Sequence, residues 1–381
     1  MKFIVPSQLL LKNLQIVSGI ITTNSAIPII ESVLFQIEGK KLRLTATDLE
    51  TTMTTELELS DADGDGEIVI PAKIVLETLK SLPDVPVIFT ISEDFAIEMS
   101  ADESVYNLVG YDNEEFPQKP ELKESSSFEI DAKILGNAIT KTIFATATTD
   151  MRPVMTGVLC DIKPEDVTFV GTDAHRLVRY LYKGLKTGME TAFIMPRKPL
   201  LSLKNILQAY DGNVRIDFDD KRVSFTLDNL SVVSKLIEGK YPNYSGVIPQ
   251  NNANVLKVDR LPLLQRMRSI SPYANQSTHQ VRLTIEPTTM RLTAENIDVS
   301  YRATATVPCT FEGEEENPYE IGFSSKFLQE ILSYLDSDEV IIKLSQPSQA
   351  GLIFPNVEEE KDEDILMLLM PVMLGDDRNW R

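Results

Sequence analysis

The chain has 381 residues, of which 43% are hydrophobic and 25% are charged, so it is long enough for two or three globular domains. Its net charge of −20 argues against a nucleic-acid-binding protein unless the basic residues are concentrated in one place, because phosphate binders present a basic surface. Cys160 and Cys309 stand alone, without a CxxC pair or a neighbouring histidine, which argues against a disulfide framework and a zinc site. The amino terminus lacks the apolar core of a signal peptide, and the longest apolar run, residues 365–374, is too short to span a bilayer. We therefore expect a cytoplasmic protein.

Three sets of sequence markers recur in the same order, which predicts three copies of one unit. The segment LRLTATDLE returns as VTFVGTDAHR and as MRLTAENIDV, so that Asp48, Asp173 and Asn296 are equivalent. The segments IPAKIVLETLKSL, MPRKPLLSLKNIL and FSSKFLQEILSYL repeat in step, each with a lysine in fourth place. The openings FIVPSQLLLKNL, FEIDAKILGNAI and LKVDRLPLLQRM form the third set. The predicted domains are residues 1–124, 125–253 and 254–374, followed by a carboxy-terminal extension, residues 375–381.

Each copy opens with a short strand that runs into a helix, and the lysine-marked segment repeats this pattern. In chain order, the predicted helices are residues 7–17, 72–82, 132–143, 197–208, 260–270 and 325–335. Asp131 and Asp259 are candidate N-caps of the third and fifth helices. The remainder alternates apolar and polar residues in short runs such as VRIDFDDKRVSFTL, which predicts strands. We therefore predict an α+β fold of three repeated domains, each with two helices and antiparallel sheets.

The positive charge is concentrated on the predicted helices. They hold twelve basic residues and two acidic ones, which leaves 25 of the 37 basic and 55 of the 57 acidic residues elsewhere. Exposed helix faces also favour Lys and Arg for structural reasons, but Glu is an equally good helix former and is nearly absent here. The helices lack interleaved aromatic residues, so we predict that they face DNA phosphates without reading the base sequence. The predicted DNA-facing residues of the helices are Lys12, Lys73, Lys80, Lys133, Lys141, Arg197, Lys198, Lys204, Arg260, Arg266, Arg268 and Lys326.

The chain resembles the bacterial DNA polymerase III beta subunit family in several motifs. These are the opening MKF with LLK and VSG, the TDLE and TDAHRL motifs, MPRK, and SKLIEGKYPNYSGVIP. The resemblance runs from Met1 to Leu374. It implies a DNA sliding clamp, a processivity factor without catalytic residues or cofactors, in which two subunits join head to tail into a ring. The helices would line the hole around duplex DNA, and head-to-tail contacts between similar units close a ring when the rotation fits.

The resemblance also implies an apolar groove that takes short linear peptides from the replicative polymerase catalytic subunit, the clamp loader, repair polymerases and mismatch-repair proteins. Without the resemblance, these residues would be interpreted as ordinary core and strand residues. The matching positions are Met155, Thr172, His175, Arg176, Leu177, Pro242, Val247, Leu368, Met370, Pro371, Val372, Met373 and Leu374.

The resemblance implies a dimer interface that includes Tyr106, Leu108 and Ile270. The acidic residues Asp102 and Glu103 lie close to this edge, where basic residues are expected, which suggests an altered charge polarity with Arg302 across the boundary.

Two further positions depart from the family pattern. Asn24 occupies a position in the first DNA-facing loop at which many relatives carry arginine, and Gly246 occupies a groove position often held by arginine. Past Leu374 the chain continues with GDDRNWR. This extension is either a frayed tail or a segment whose Trp380, the only tryptophan, folds over the groove and competes with partner peptides.

An enzyme is the main alternative, but the sequence has no P-loop, GxSxG, HExxH or dinucleotide fingerprint. His175 and His279 are the only histidines, and a turn or cap role explains Asp48 and Asp173 better than catalysis does. A protein scaffold that never touches DNA is the second alternative, against which the basic helices argue.

Overall fold

The computed structural model describes residues 1–22, 27–149, 151–313, 318–357 and 362–374. Asn24 and the extension with Trp380 lie outside the described residues. The chain divides into two units. Unit 1 contains Met1–Gly136 and Met195–Ile237, and unit 2 contains Asn137–Ile194 and the chain from Glu238 onward.

Six α-helices occur in the described part of the chain, each directly after a strand, as the sequence predicts. They are α1 (Ser7–Ser18), α2 (Ala72–Ser81), α3 (Ala132–Ile143), α4 (Arg197–Leu207), α5 (Arg260–Ile270) and α6 (Ser325–Tyr334). Each boundary agrees with the predicted one to within one residue, which confirms the helix predictions.

The strands of the described residues are numbered in chain order. They are β1 (Lys2–Pro6), β2 (Ser32–Glu38), β3 (Lys41–Thr47), β4 (Thr51–Glu58), β5 (Asp61–Asp63), β6 (Gly66–Pro71), β7 (Pro86–Ile91), β8 (Ala96–Ala101), β9 (Ser104–Val109), β10 (Ser126–Asp131), β11 (Gly157–Lys163), β12 (Asp166–Thr172), β13 (Arg176–Tyr182), β14 (Thr191–Pro196), β15 (Asn213–Phe218), β16 (Arg222–Leu227), β17 (Leu230–Lys235), β18 (Asn254–Asp259), β19 (Gln280–Ile285), β20 (Thr289–Asn296), β21 (Tyr301–Pro308), β22 (Thr310–Glu312), β23 (Tyr319–Ser324), β24 (Glu339–Leu344), β25 (Gly351–Pro355) and β26 (Glu363–Leu369).

Unit 1 contains a five-stranded sheet in the order β5-β1-β7-β8-β9 and an eight-stranded sheet in the order β10-β15-β16-β17-β4-β3-β2-β6. Its helix α1 buries Leu10, Leu14 and Val17, and below it Phe3 stacks on Phe89 with 4.7 Å between the ring centroids. Neighbouring strands run antiparallel, for example β3 with β4 and β17 with β4.

Unit 2 contains a nine-stranded sheet in the order β14-β11-β12-β13-β26-β25-β24-β18-β22 and a four-stranded sheet in the order β21-β20-β19-β23. Helix α5 turns Leu263 and Met267 into the core, whereas Arg266 and Arg268 are exposed on its other side. This division between a buried apolar face and an exposed basic face follows from the helical spacing of the apolar residues.

The two predicted N-caps have different outcomes. The Asp131 side chain caps α3, since Oδ1 accepts hydrogen bonds from the backbone N–H groups of Lys133 at 2.8 Å and Ile134 at 3.2 Å. Asp259 occupies the N-cap position of α5, but its side chain makes no capping hydrogen bond, so that prediction was wrong. The third residue of α5 is Pro262, which has no N–H group to donate to the Asp259 side chain.

Replacement of Asp131 with alanine is expected to lower the free energy of unfolding by about 1 kcal/mol, because it removes both capping hydrogen bonds. Asp259→Ala is the matched control and is expected to change it by only a few tenths of a kcal/mol. Urea titrations followed by circular dichroism measure both values. Equal losses in the two variants would contradict the assignment of the cap to Asp131.

Candidate functional site

The first TD motif forms a tight turn between β3 and β4. Asp48 Oδ1 accepts hydrogen bonds from the N–H groups of Glu50 at 3.1 Å and Thr51 at 2.7 Å. Leu49 between them has a φ of 76°, a left-handed conformation that needs such support in a residue other than glycine. The carboxylate therefore fixes the turn.

The second TD motif repeats this turn between β12 and β13. Asp173 Oδ1 accepts hydrogen bonds from the N–H groups of His175 at 2.9 Å and Arg176 at 3.0 Å, and Ala174 has a φ of 75°. The predicted turn role of both aspartates is confirmed. In the third copy, Asn296 precedes a short 3-10 helix, and the left-handed residue is Ser300.

The second carboxylate oxygen of each TD aspartate accepts a hydrogen bond from a basic side chain. Asp48 Oδ2 accepts one from Nζ of Lys198 on α4. Asp173 Oδ2 accepts one from Nε of Arg176 at 3.1 Å. The same turn is thus joined to a cation in both units, although the cation comes from a helix in unit 1 and from the turn itself in unit 2.

Arg176 is a buried centre of polar contacts in unit 2. Its side chain is 7% exposed, and besides Asp173 it contacts the carboxylate of Glu330 on α6 and the backbone oxygen of Phe144 at 2.8 Å. The guanidinium also lies over the rings of Phe144 and Phe327, at 5.2 Å and 4.6 Å from their centroids. Arg176 therefore ties the β12–β13 turn to α6 and to the residues that follow α3.

A groove of about 690 Å³ lies in unit 2 beside this turn. One wall is the connector that follows β17, which two tyrosines hold against the sheet. The Tyr241 hydroxyl donates to the backbone oxygen of Val170 at 3.1 Å, and the Tyr244 hydroxyl donates to Oδ2 of Asp161 at 2.7 Å. Burial and the hydrogen bond to Asp161 raise the pKa of Tyr244 to about 12.

The structure brings eight of the predicted groove residues to this wall and floor: Met155, Thr172, Arg176, Leu177, Pro242, Val247, Leu368 and Met370. Sequence reasoning missed ten further lining residues: Arg152, Ala174, Asn243, Tyr244, Pro249, Gln250, Asn251, Ser348, Gln349 and Ala350. Asn243 and Tyr244 lie inside the KLIEGKYPNY motif, which already signalled this connector. The turn at 348–350 carries no such signal.

The other five predicted groove residues lie next to the groove but do not line it. His175 is exposed and stacks on Phe327 with 6.0 Å between the ring centroids. The last four described residues follow Met370 directly, and among them the Val372 N–H donates to the backbone oxygen of Gly322 at 2.8 Å. These four residues are Pro371, Val372, Met373 and Leu374. The Gly246 N–H donates to Oδ1 of Asn243 at 3.2 Å, and a Cβ added at Gly246 would lie 3.0 Å from Nδ2 of the same side chain.

Most of the predicted DNA-facing residues are exposed on the helices. The exposed ones are Lys12, Lys73, Lys80, Lys133, Lys198, Arg266, Arg268 and Lys326. Arg197, Lys204 and Arg260 are partly exposed, and the Arg260 guanidinium donates to the backbone oxygens of Ser337 and Leu332. Lys141 is different because it is buried and pairs with Asp336 and the backbone oxygen of Tyr334.

Two edge strands expose apolar side chains. Strand β9 ends the five-stranded sheet of unit 1, and Val105 and Val109 on it are 57% and 65% exposed. Tyr106 and Leu108 alternate with them and are partly exposed. Ile270, the third predicted interface residue, is instead buried in the core of unit 2.

The second edge is β21, which ends the four-stranded sheet of unit 2. Tyr301 on this strand is 55% exposed, and its ring lies edge-on to Tyr273 with 6.2 Å between the centroids. Arg302 Nε lies 2.9 Å from Oε1 of Glu295 on the neighbouring strand. In unit 1, Asp102 and Glu103 form the exposed turn that leads into β9.

Within the described ranges, no group of three histidine, cysteine or acidic side chains is arranged to hold a metal ion. Cys160 and Cys309 are free thiols. A search of the same residues finds no helix with the length and apolar character needed to cross a membrane.

Three family models match the chain in succession. They describe the N-terminal, central and C-terminal domains of the DNA polymerase III beta subunit, and they match residues 1–120, 129–243 and 245–373. The chain is 29% identical over 375 residues to the beta sliding clamp of Pseudomonas aeruginosa, with 98% of this chain and 100% of the relative covered. It is 26% identical to that of Bacillus subtilis, with 98% and 99% covered.

A solved structure shares the fold over almost its whole length. The sliding clamp of Bartonella birtlesii, bound to griselimycin, superposes with a TM-score of 0.92 at 28% identity, with 98% of this chain and 100% of that chain covered. The repeated units, the antiparallel sheets and the three matched domain models agree with one another. The chain therefore belongs to the DNA polymerase III beta subunit family and is a sliding clamp, a non-catalytic processivity factor of DNA polymerase III.

Proposed function

We propose that two copies of this chain join head to tail into a ring that encircles duplex DNA in the cytoplasm. Each copy supplies three domains, residues 1–124, 125–253 and 254–374, and the ring slides without reading the base sequence. The observation that carries the proposal is the segregation of charge, with twelve basic and two acidic residues on the six helices of a chain whose net charge is −20. A basic lining attracts phosphates, while an acidic remainder repels other DNA.

The proposed DNA-facing set consists of the exposed and partly exposed basic residues of the helices. We leave out Lys141, because its ammonium group is buried and paired with Asp336. Contacts to the phosphate backbone by long side chains give no sequence preference. They suit a ring whose hold on DNA depends on closure and not on affinity.

The proposed dimer contact joins β9 of one copy to β21 of the other. Each strand lies at the edge of its sheet, where unpaired N–H and C=O groups favour the addition of another strand. Val105, Val109 and Tyr301 supply exposed apolar area on these edges. The acidic turn at Asp102 beside β9 favours a basic residue such as Arg302 on the opposite edge. Ile270 is left out of the proposed contact, because it is buried in the core of unit 2.

The proposed partner site is the groove in unit 2. Its apolar residues include flexible methionines, which adapt to ligands of different shape. We propose that it binds short linear peptides of the replicative polymerase catalytic subunit, the clamp loader, repair polymerases and mismatch-repair proteins. The connector held by Tyr241 and Tyr244 forms a wall before any peptide arrives, which lowers the ordering cost of binding.

The dimer contact is tested by the double variant Val109→Glu, Tyr301→Glu. We expect its dimer dissociation constant to rise at least about a hundredfold in sedimentation velocity, because like charges meet in an apolar contact. The control is Val357→Glu, which places the same charge at a 52% exposed valine outside both edges. A double variant that remains as dimeric as this control would contradict the proposed pairing of β9 with β21.

A further inference from the structure

The groove in unit 2 has exposed apolar residues at its edge. Val247 is 56% exposed and Met370 is 43% exposed, while Leu177 and Leu368 form the floor and are buried. The rim carries neutral polar side chains: Asn243, Gln250, Asn251, Ser348 and Gln349. An occupant that fits this surface has a flat apolar body and a hydrogen-bond donor, which describes an indole ring.

The carboxy-terminal chain leaves the nine-stranded sheet at this groove. The Met370 N–H donates to the backbone oxygen of His175 at 2.9 Å, and the Val372 N–H donates to that of Gly322 at 2.8 Å. The Leu374 side chain then packs so closely on Gly322 that an added Cβ would lie 2.8 Å from its Cδ2. The last described residue is therefore held four positions after the groove edge.

The length of the remaining chain is sufficient for a return to the groove. Four residues span at most about 14 Å, so Leu374 lies no farther than this from Met370 along an extended chain. Trp380 follows Leu374 by six residues, which reach about 20 Å when extended. The ring of Trp380 can thus pass Met370 and reach the floor of the groove.

We infer that residues 375–381 dock into the groove of their own chain through Trp380 and compete there with partner peptides. The inference rests on the proposed function of the groove as a peptide site. Trp380 is the only tryptophan of the 381 residues, and the tail around it carries two acidic side chains, Asp376 and Asp377, and two basic ones, Arg378 and Arg381. The tail therefore offers an apolar anchor with balanced side-chain charges.

Covalent attachment makes a weak contact effective. A segment on a short flexible linker experiences an effective concentration of about 1 mM or more at its site. A tail with a dissociation constant of a few hundred micromolar would then weaken a competing peptide about three- to tenfold. Such a tail rejects weak partners and still yields to a tightly bound polymerase.

The experiment uses the fluorescence of Trp380, which is free of other tryptophan signals. We expect the full chain to emit at shorter wavelength than the free peptide GDDRNWR, and Val247→Asp to emit as the free peptide does. Val357→Asp is the matched control, since this valine is exposed to a similar extent at 52% but does not line the groove. It is expected to emit like the unaltered chain.

A fluorescein-labelled GDDRNWR peptide supplies the second readout by anisotropy. We expect it to bind a chain truncated after Leu374 about three- to tenfold more tightly than the full chain, and Val247→Asp to abolish binding to the truncated chain. Emission of the full chain identical to that of the free peptide, together with equal peptide affinity of both chains, would overturn the inference. Emission that depends on protein concentration would overturn docking within one chain in favour of docking between copies.

Binding of the cognate polymerase catalytic subunit separates this inference from the proposed function of the groove. If Val247→Asp abolishes polymerase binding while Trp380 emission is the same in all variants, the groove is a partner site and the tail does not dock there. If Trp380 leaves the groove in Val247→Asp while polymerase binding is unchanged, the groove holds the tail and the proposed partner site fails. In that case the competition with partner peptides is overturned as well.

Discussion

Replacement of Arg176 with alanine is expected to lower the free energy of unfolding by about 3 kcal/mol. Removal of one member of a buried ion pair leaves the other charge uncompensated, which costs about 3–5 kcal/mol. The lower end applies because the Glu330 side chain is 39% exposed and remains in contact with water, whereas that of Asp173 is 15% exposed. The loss also frees the backbone oxygen of Phe144 from its donor.

Arg43→Ala is the control for this prediction. Arg43 pairs with Glu56 at 2.6 Å in the same kind of contact, but the two side chains are 47% and 38% exposed. Exposed pairs contribute about 0–1 kcal/mol, so this variant is expected to stay close to the unaltered chain in urea titrations. A loss of less than about 1 kcal/mol in Arg176→Ala would mean that the contacts around Asp173 and Glu330 do not hold unit 2 together.

Reversal of six exposed helix cations to glutamate is expected to abolish the direct electrostatic binding of the free clamp to linear duplex DNA at moderate salt. The variant combines Lys12, Lys73, Lys80, Arg266, Arg268 and Lys326, all exposed on α1, α2, α5 and α6. Each lost phosphate contact removes about 0.9 from the slope of log affinity against log salt concentration, so several lost contacts change binding by orders of magnitude. Electrophoretic mobility shifts over a salt series measure this slope.

The control reverses six exposed lysines outside the helices: Lys40, Lys41, Lys163, Lys186, Lys221 and Lys235. It changes the net charge by the same amount but leaves the helices intact. We expect nearly unchanged direct binding to linear duplex DNA from this control. Equal losses in both six-residue variants would show that overall charge, and not the helix surface, governs the interaction.

The repeated pattern made the helices and turns predictable from the sequence. Three copies of each strand–helix segment fixed the helix boundaries, because apolar spacing and the preceding strand agree in every copy. The turn at Asp48 was predictable for a related reason, since an aspartate that accepts two backbone N–H groups acts within four residues of chain. Local hydrogen bonds of this kind can be predicted from the few neighbouring residues that make them.

Features that depend on distant residues were not predictable. Lys141 has the spacing of an exposed helix cation, but it is buried, and its ammonium group pairs with the backbone oxygen of Tyr334 and the carboxylate of Asp336. Periodicity along one helix carries no information about what another segment places against it.

The groove shows the same division between local and distant information. The KLIEGKYPNY motif pointed to the connector that forms one wall, and the TDAHRL motif pointed to the turn beside it. The turn at 348–350 joins them only through strand pairing, since β25 pairs with β24 and β26. The residues after Met370 were assigned to the groove by the resemblance, and the backbone contact of Val372 with Gly322 joins segments that are distant in sequence.

Topological binding is the central claim, and retention on DNA circles measures it most directly. The protein is loaded by its clamp loader onto nicked circular DNA, half of the sample is cut to linear form, and both halves are passed over a gel-filtration column at moderate salt. The ring predicts that the protein elutes with the circles and is lost from the linear DNA. Equal retention on circular and linear DNA would contradict encirclement and indicate ordinary electrostatic binding.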